Sequence, residues 1–311
     1  MDIRQLSALV AVDEGGSFSA AARALHTVQS NVSTHIARLE RELGSILVDR
    51  ASGVLTEEGI IVVERARRIQ VELAAIASDV AAAHDEITGH VRLGCIGTVG
   101  RWLVPLILGR VVAELPKVGL VVVDATTTSL VPQLRNDTLD LAVVNLPLAD
   151  AELTTETLFE EDHLLLAPHG HPLAGRGSVH LAELAEHRLL LEPVGTSYRD
   201  VLDAAARAVG VELQPLAEVD GLRLIATLSV QGFGAAIVPA TALPSDLEAN
   251  LERVAIEDLA RRSVGLAQRR RRLPSAPSRA LRQVISRVIA ADAHALKGIH
   301  PVGAPDDGRV G

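Results

Sequence analysis

The spacing of apolar and polar positions changes period several times along the chain, and each change marks an element. Residues 2 to 14 carry Ile3, Leu6, Leu9 and Val10 at helical spacing, and Gly15-Gly16 ends the run. Ser17 is a natural cap for a second helix, on which Phe18, Ala21, Ala22 and Leu25 share one face. Ala20 to Ala22 are small enough to let another helix cross closely. After His26 a third periodic run begins. Val28, Val32, Ile36, Leu39 and Leu43 form its apolar side, with Gln29, Ser30, Ser33, Thr34, His35 and Arg38 on the other. Ile46 to Leu55, with β-branched residues and a turn at Ala51-Ser52-Gly53, reads as a short hairpin that carries Arg50. Thr56 caps a further helix, with Glu57 and Glu58 favourably placed in its first turn, and the pattern carries that helix to about Ile87. Its register Val62, Ala66, Ile69, Leu73, Ile76, Val80, Ala83, Ile87 steps by four and three. Such a heptad seam is narrow enough for one partner helix, although the same stripe could pack the helix on its own head. Thr88-Gly89-His90 breaks the run and reads as a hinge.

From Val91 the grammar becomes alternating strands and helices. VRLGC, GLVVVD and LDLAVV read as strands, with helices at about Trp102 to Glu114 and Leu130 to Asn136, which predicts a parallel α/β unit. After a crossing segment at about Asp162 to Pro168, a second set follows: RLLLE, a helix at Tyr198 to Val209, PLAEV, a helix at Leu222 to Val230, and AAIVP. The chain then returns through SVGLAQ to a last helix at about Ser278 to Ala291. Two α/β halves joined by crossings describe a cleft. The halves are expected at about 91–161 with 267–292, and at about 162–266. The Gly-, Pro- and Asp-rich residues 296–311 are expected to be a disordered tail.

Short side chains with donors and acceptors, near the start of a helix and backed by an apolar stripe, suit entry into the major groove. An ordinary helical hairpin with a solvated face fits the same pattern. The run AAARALHTVQSNVSTHIARLERELGSILVDR, followed by LTEEG, resembles the N-terminal winged helix-turn-helix of LysR-type transcriptional regulators. Gln29, Ser30, Ser33, Leu39, Glu40, Leu43, Gly44, Arg50, Leu55, Thr56 and Gly59 carry the resemblance. The chain departs from the family at Val28, where Ser is frequent, so the capping hydroxyl is expected from Thr27. It departs again at Thr34 and His35, where Arg and Gln are frequent, and at Val48, where Phe is. The resemblance implies an α + α/β chain: a winged helix-turn-helix at 1–58, a linker and dimerisation helix at 59–88, and a periplasmic-binding-protein-like effector domain at 89–295. It implies contacts to double-stranded DNA from Thr27, Gln29, Ser30, Ser33, Thr34, His35, Arg38 and Arg50. Pairing of two copies is expected along Val62, Ala66, Ile69, Leu73, Ile76 and Val80, with a tetramer common in the family and RNA polymerase a further partner.

Charge and cysteine content refine this picture. The 311 residues carry a net charge of −9, which spread evenly would repel nucleic acid. Binding must therefore rely on local groups such as Arg4, Arg23, Arg38, Arg41 and Arg50, and on more than one head per site. There is no secretory leader at Met1 and no charge-free run of spanning length, so a cytoplasmic location without membrane contact is expected. Some LysR-type proteins sense peroxide with a cysteine pair. The single cysteine, Cys95, cannot do so within one chain, and its place in VRLGCIG suggests a buried small residue.

Ligands of such folds sit beyond the carboxyl ends of the strands. Those ends give Thr98, Thr126 to Ser129 (including Thr128), Asn145, Gly195, Thr196, Ser197 and Asp220. Several precede a helix, which suits a small anion, with Arg101, Arg199 and Arg223 as candidate counter-charges; the same hydroxyls could equally serve only as caps. Asp220 would oppose an anion and ranks low. His163, His169, His171 and His180 are expected on a loop and not as metal ligands. Gly232-Phe233-Gly234 lacks the third glycine of a dinucleotide loop, and Arg269 to Arg272 reads as a solvated turn. No cofactor, metal site or catalytic constellation is expected. The rival reading is a solute-binding protein or an enzyme with an accessory helical domain.

Overall fold

The computed structural model describes residues 1–50, 52–243, 251–270 and 273–302. The chain divides into two compact units, Met1–Gly89 and His90–Gly311.

The first unit is helical. Helix α1 (Ile3–Gly15) starts from a capping box, in which the Asp2 side chain accepts from the Gln5 N–H and the Gln5 side chain accepts from the Asp2 N–H. Helix α2 (Phe18–Ala24) is capped by Ser17, which accepts from the Ala20 N–H at 3.2 Å. Helix α3 (Gln29–Leu43) ends at Gly44, whose φ of 72° is the left-handed conformation a helix end asks of glycine. Its N-cap is Val28, with no side-chain cap, so the capping role expected of Thr27 is not filled. The Thr27 hydroxyl instead accepts from Asn31 Nδ2 at 2.9 Å. The hairpin after α3 is reduced to one antiparallel bridge, Val48 with Leu55. Helix α4 (Glu57–Ala82) is capped by Thr56 and stops five residues before Ile87.

Ala66, expected in the pairing seam, is fully buried in the core of its own unit with Val63, Leu9, Ile36 and Leu39, and Val62 packs against that core. The part of the stripe left exposed therefore begins only at Ile69. A heptad register says that one stripe is apolar; it does not say what covers each turn.

The second unit contains two sheets. Strand β1 (Gly89–Cys95) leads into α5 (Gly97–Glu114), which begins five residues earlier than the pattern suggested, then come β2 (Val118–Asp124), α6 (Thr127–Arg135) and β3 (Leu141–Leu146). The long strand β4 (Leu153–Glu161) precedes β5 (His163–Pro168). Every residue of β5 is buried, so the segment expected to be a crossing is an inner strand of the second sheet. Next come β6 (Ser178–Val179), the single turn α7 (Leu181–Leu184), β7 (Arg188–Leu191), α8 (Ser197–Ala208), β8 (Gln214–Glu218), α9 (Leu222–Val230) and β9 (Ala235–Pro239). Strand β10 (Leu251–Ile256), β11 (Arg262–Arg269), α10 (Ala276–Asp292) and β12 (Ile299–Pro301) complete the order.

The sheets run β12-β4-β11-β3-β1-β2 and β6-β10-β5-β9-β7-β8. Both are mixed, not purely parallel: β1 and β3 are parallel, but β11 lies antiparallel to β3 and β4, and β5 antiparallel to β9 and β10. The return to the first sheet begins at Arg262, not at 267, because the whole of β11 pairs there. Residues 299–301 pair with β4, so that part of the expected tail is ordered, and 303–311 lie outside the described residues. Among the described residues no helix is long and apolar enough to cross a membrane.

Candidate DNA-binding face and effector cleft

In the first unit the apolar side of α3 is anchored by Val32, Ile36 and Leu39, all fully buried, which fixes the rotation of the opposite side. Gln29, Ser30, Thr34 and Arg38 are exposed, and Ser33 is half-buried. Gln29 is held by the Ser19 hydroxyl of α2, which donates to its Oε1 at 3.1 Å, and Thr34 donates back to the Ser30 carbonyl. His35 does not share this face. It is half-buried, and its Nδ1 is shielded without a hydrogen-bond partner.

Arg50 sits where the hairpin meets α3. Its guanidinium donates to Ser33 Oγ at 3.4 Å and to Glu40 Oε2 at 3.3 Å. The other oxygen of Glu40 accepts from the Leu47 N–H at 2.9 Å and the Val48 N–H at 3.4 Å. Glu40 thus fixes the hairpin backbone to the helix and orients Arg50 beside Ser33. In the sequence Glu40 stood out only as part of a motif, with no role attached.

In the second unit, the chain passes from strand to helix four times along one cavity of about 500 Å³. The ends of β1, β2, β7 and β8 lead to α5, α6, α8 and α9, so four helix N-termini line the cleft between the two sheets. Two are closed by their own hydroxyls. Thr126 accepts from the Ser129 N–H at 3.3 Å, and Thr196 from the Arg199 N–H at 3.4 Å. Helices α5 and α9 start at Ile96 and Gly221 without a side-chain cap. Thr98, Thr128, Asn145, Thr196 and Ser197 line the cavity as expected. Ser129 and Arg101 do not. The Ser129 hydroxyl accepts from Thr126, turning inward on its own helix. Arg101 lines an adjoining cavity of about 540 Å³ with Cys95, Gly100 and Val104, which shares Asp124 and Arg223 with the cleft. Arg199 is buried and spent: it donates to Asp203 at 2.8 Å, to the Glu192 carbonyl at 2.8 Å and to Glu218 at 3.0 Å. Arg223 pairs with Asp124 at 2.6 Å. The three cations expected to attract an anion are therefore absent from the cleft or neutralised.

Several residues passed over in sequence also meet here. Arg262, the first residue of β11, donates to Thr98 Oγ1 at 2.9 Å and to Glu161, the last residue of β4, whose carboxylate also accepts from the N–H and the hydroxyl of Thr241. Asp220, a weak candidate by sequence, is in the cleft wall beside Glu192. Burial pushes the Glu192 carboxyl above the ordinary range, opposed by donors from Gly221 and Thr196, and the Asp220 charge raises it further. Tyr198 lines the same wall, its hydroxyl buried without a hydrogen-bond partner, and burial pushes its pKa well up. Its ring lies 5.6 Å from that of His163, which stands at the start of β5 and not on a loop. Burial and then the Arg262 charge lower His163 to about 4, and its Nδ1 donates to the Ala260 carbonyl. Burial and the nearby Asp124 push the Cys95 thiol up to about 12. Among the described residues no group of His, Cys, Asp and Glu is arranged to hold a metal ion.

The order of these two sites along the chain matches known proteins. A family model for the bacterial regulatory helix-turn-helix protein of the lysR family matches residues 3–60, and one for the LysR substrate binding domain matches 84–290. The chain is 32% identical over 300 residues to a probable hydrogen peroxide-inducible genes activator of Mycobacterium leprae, covering 94% of this chain and 96% of that protein. It is 29% identical over 295 residues to the DNA-binding transcriptional dual regulator OxyR of Escherichia coli K12, covering 94% and 95%. Among solved structures, full-length CbnR complexed with its target DNA aligns with a TM-score of 0.66 at 25% identity, covering 93% of this chain and 100% of that one. The chain belongs to the LysR family of transcriptional regulators, with an N-terminal DNA-binding head and a C-terminal effector-binding domain.

Proposed function

We propose that this regulator reads DNA with the exposed row Gln29, Ser30, Ser33, Thr34 and Arg38 of α3, with Arg50 as a backbone or minor-groove contact, and does so as paired copies in the cytoplasm. The observation that carries the pairing is on α4. Beyond Ala66, where the head's own core ends, Ile69, Leu73, Ile76 and Val80 continue the stripe in the open, the last two about 60% exposed. A second copy of α4 would cover it and give two heads a defined separation. Pairs of such dimers, and contact with RNA polymerase, extend the same reading.

The cleft would then be the control point. A small molecule that binds one arrangement of the two α/β halves better than another shifts their equilibrium, a coupling typically worth about 1–3 kcal/mol. The relatives are named for induction by hydrogen peroxide. Here a thiol route is disfavoured, because the thiolate is the reactive form and Cys95 is both 1% exposed and held protonated. A reversible ligand of the cleft fits this chain better. A gel shift on DNA upstream of its own gene, at several salt concentrations, tests the reading. Salt-sensitive, sequence-preferring complexes that weaken in Ser33→Ala and Arg50→Ala, with self-association intact, support it. Loss of self-association in either variant would contradict the assignment of the head.

A further inference from the structure

Resting on the effector reading of the cleft, we infer that its ligand carries a protonated amine, held at the wall formed by Glu192, Asp220 and Tyr198. The charges that line the cavity are Asp124, Glu192, Asp220, Arg223 and Arg262. Both cations already have carboxylate partners, Asp124 for Arg223 and Glu161 for Arg262. Among the described residues neither Glu192 nor Asp220 forms an ion pair; Glu192 takes neutral donors from Gly221 and Thr196 and feels the charge of Arg262, whose ion-pair partner is Glu161. The helix starts do not reverse this balance. Each contributes roughly half a positive charge that fades within its first turn. Helices α8 and α9, which begin just after Glu192 and Asp220, together offset one of the two carboxylates, and α5 and α6 begin from strands of the other sheet. Arg199 is outnumbered by Asp203 and Glu218.

Two further groups point the same way independently of charge. The Tyr198 hydroxyl and Asn145 Oδ1 both belong to residues that line the cavity, and both atoms are buried without a hydrogen-bond partner. Leaving a buried polar atom unpaired costs about 1–3 kcal/mol, so a ligand that pairs it gains accordingly. Asn145 Oδ1 can only accept, and Tyr198 can accept as well as donate. An ammonium group has three donors and no acceptor, which matches the two carboxylates and these unpaired acceptors.

A set of four-carbon chains that differ only in their end groups tests this on the full-length protein: putrescine, γ-aminobutyrate, succinate and butanediol, followed by calorimetry and thermal melting. Putrescine or γ-aminobutyrate is expected to bind at least about tenfold more tightly than succinate and butanediol, as one charge-assisted hydrogen bond implies. Glu192→Gln and Asp220→Asn are each expected to erase most of that preference. Succinate binding as well as the amines, or no member binding at millimolar concentration, overturns the proposal. So does an amine preference untouched by both substitutions. If a substitution prevents folding, the comparison on the unsubstituted chain decides. Failure here with DNA binding intact removes the ligand class and leaves the regulator; absence of DNA binding removes the regulator, whatever the cleft prefers.

Discussion

Glu161 and Arg262 face each other where β4 ends and β11 begins, and Arg262 Nε donates to Glu161 Oε1 at 2.9 Å with the Glu161 side chain wholly buried. Because one partner closes the first sheet and the other re-enters it, this pair sits at the crossing between the two halves. Thr98 and Thr241 join the pair through further hydrogen bonds. Removing one partner leaves a buried charge unmatched, at a cost of about 3–5 kcal/mol. Arg262→Met or Glu161→Leu alone should lower stability by that order in denaturant melts. The double substitution should cost clearly less than the sum, and strict additivity would show that the pair is not a unit.

His163 gives the chain an acid limit. Its folded pKa of about 4 lies below the ordinary 6.5, so as pH falls the unfolded chain takes the proton first. The stability gained by keeping it neutral is complete above about 6.5 and is lost progressively down to about 4, by about 3 kcal/mol. His163→Asn can keep a donor to the Ala260 carbonyl without titrating. The gap between the two proteins' melting temperatures should narrow or reverse in favour of the variant across that window, and parallel curves would refute the assignment.

Glu40 should matter to DNA binding without touching DNA. Glu40→Gln frees Arg50 and weakens the anchor of the hairpin backbone. Binding should weaken, and because Arg50 then no longer neutralises its phosphate, the salt slope should be shallower by about 0.9. A slope equal to that of the unsubstituted protein would separate Glu40 from Arg50.

Cys95 should be silent. A thiol with a pKa of about 12 and 1% exposure should not react with a disulfide reagent at neutral pH until denaturant is added. Cys95→Ala should bind DNA as the unsubstituted chain does, with or without peroxide. A peroxide response that vanishes in Cys95→Ala would show that this regulator senses as its relatives' names suggest.

The head was legible because its signals are contiguous: the Ser17 cap, the buried stripe of α3 and the glycine stop at Gly44 all lie within one stretch. The cleft was half legible. Strand ends feeding helices put Thr98, Thr128, Asn145, Thr196 and Ser197 on its walls, since that placement follows from local grammar. What the sequence hid depends on partners far along the chain. Arg262 meets Glu161 across 101 positions, and nothing near either residue announces the other. His163–Pro168 is buried on both faces, so it lacks the alternation that identifies a strand. The apolar edge of α4 was visible, but only the fold shows that Ala66 belongs to the head's own core.

Whether paired heads read the DNA is decided by the number of chains bound at one operator, measured by sedimentation of the complex together with footprinting. Two chains, or a multiple of two, should protect half-sites spaced by whole helical turns, and replacing Ile76 in the exposed stripe by Asp should leave a lone, weaker-binding chain. A single unsubstituted chain bound with full affinity at one isolated site would contradict the pairing.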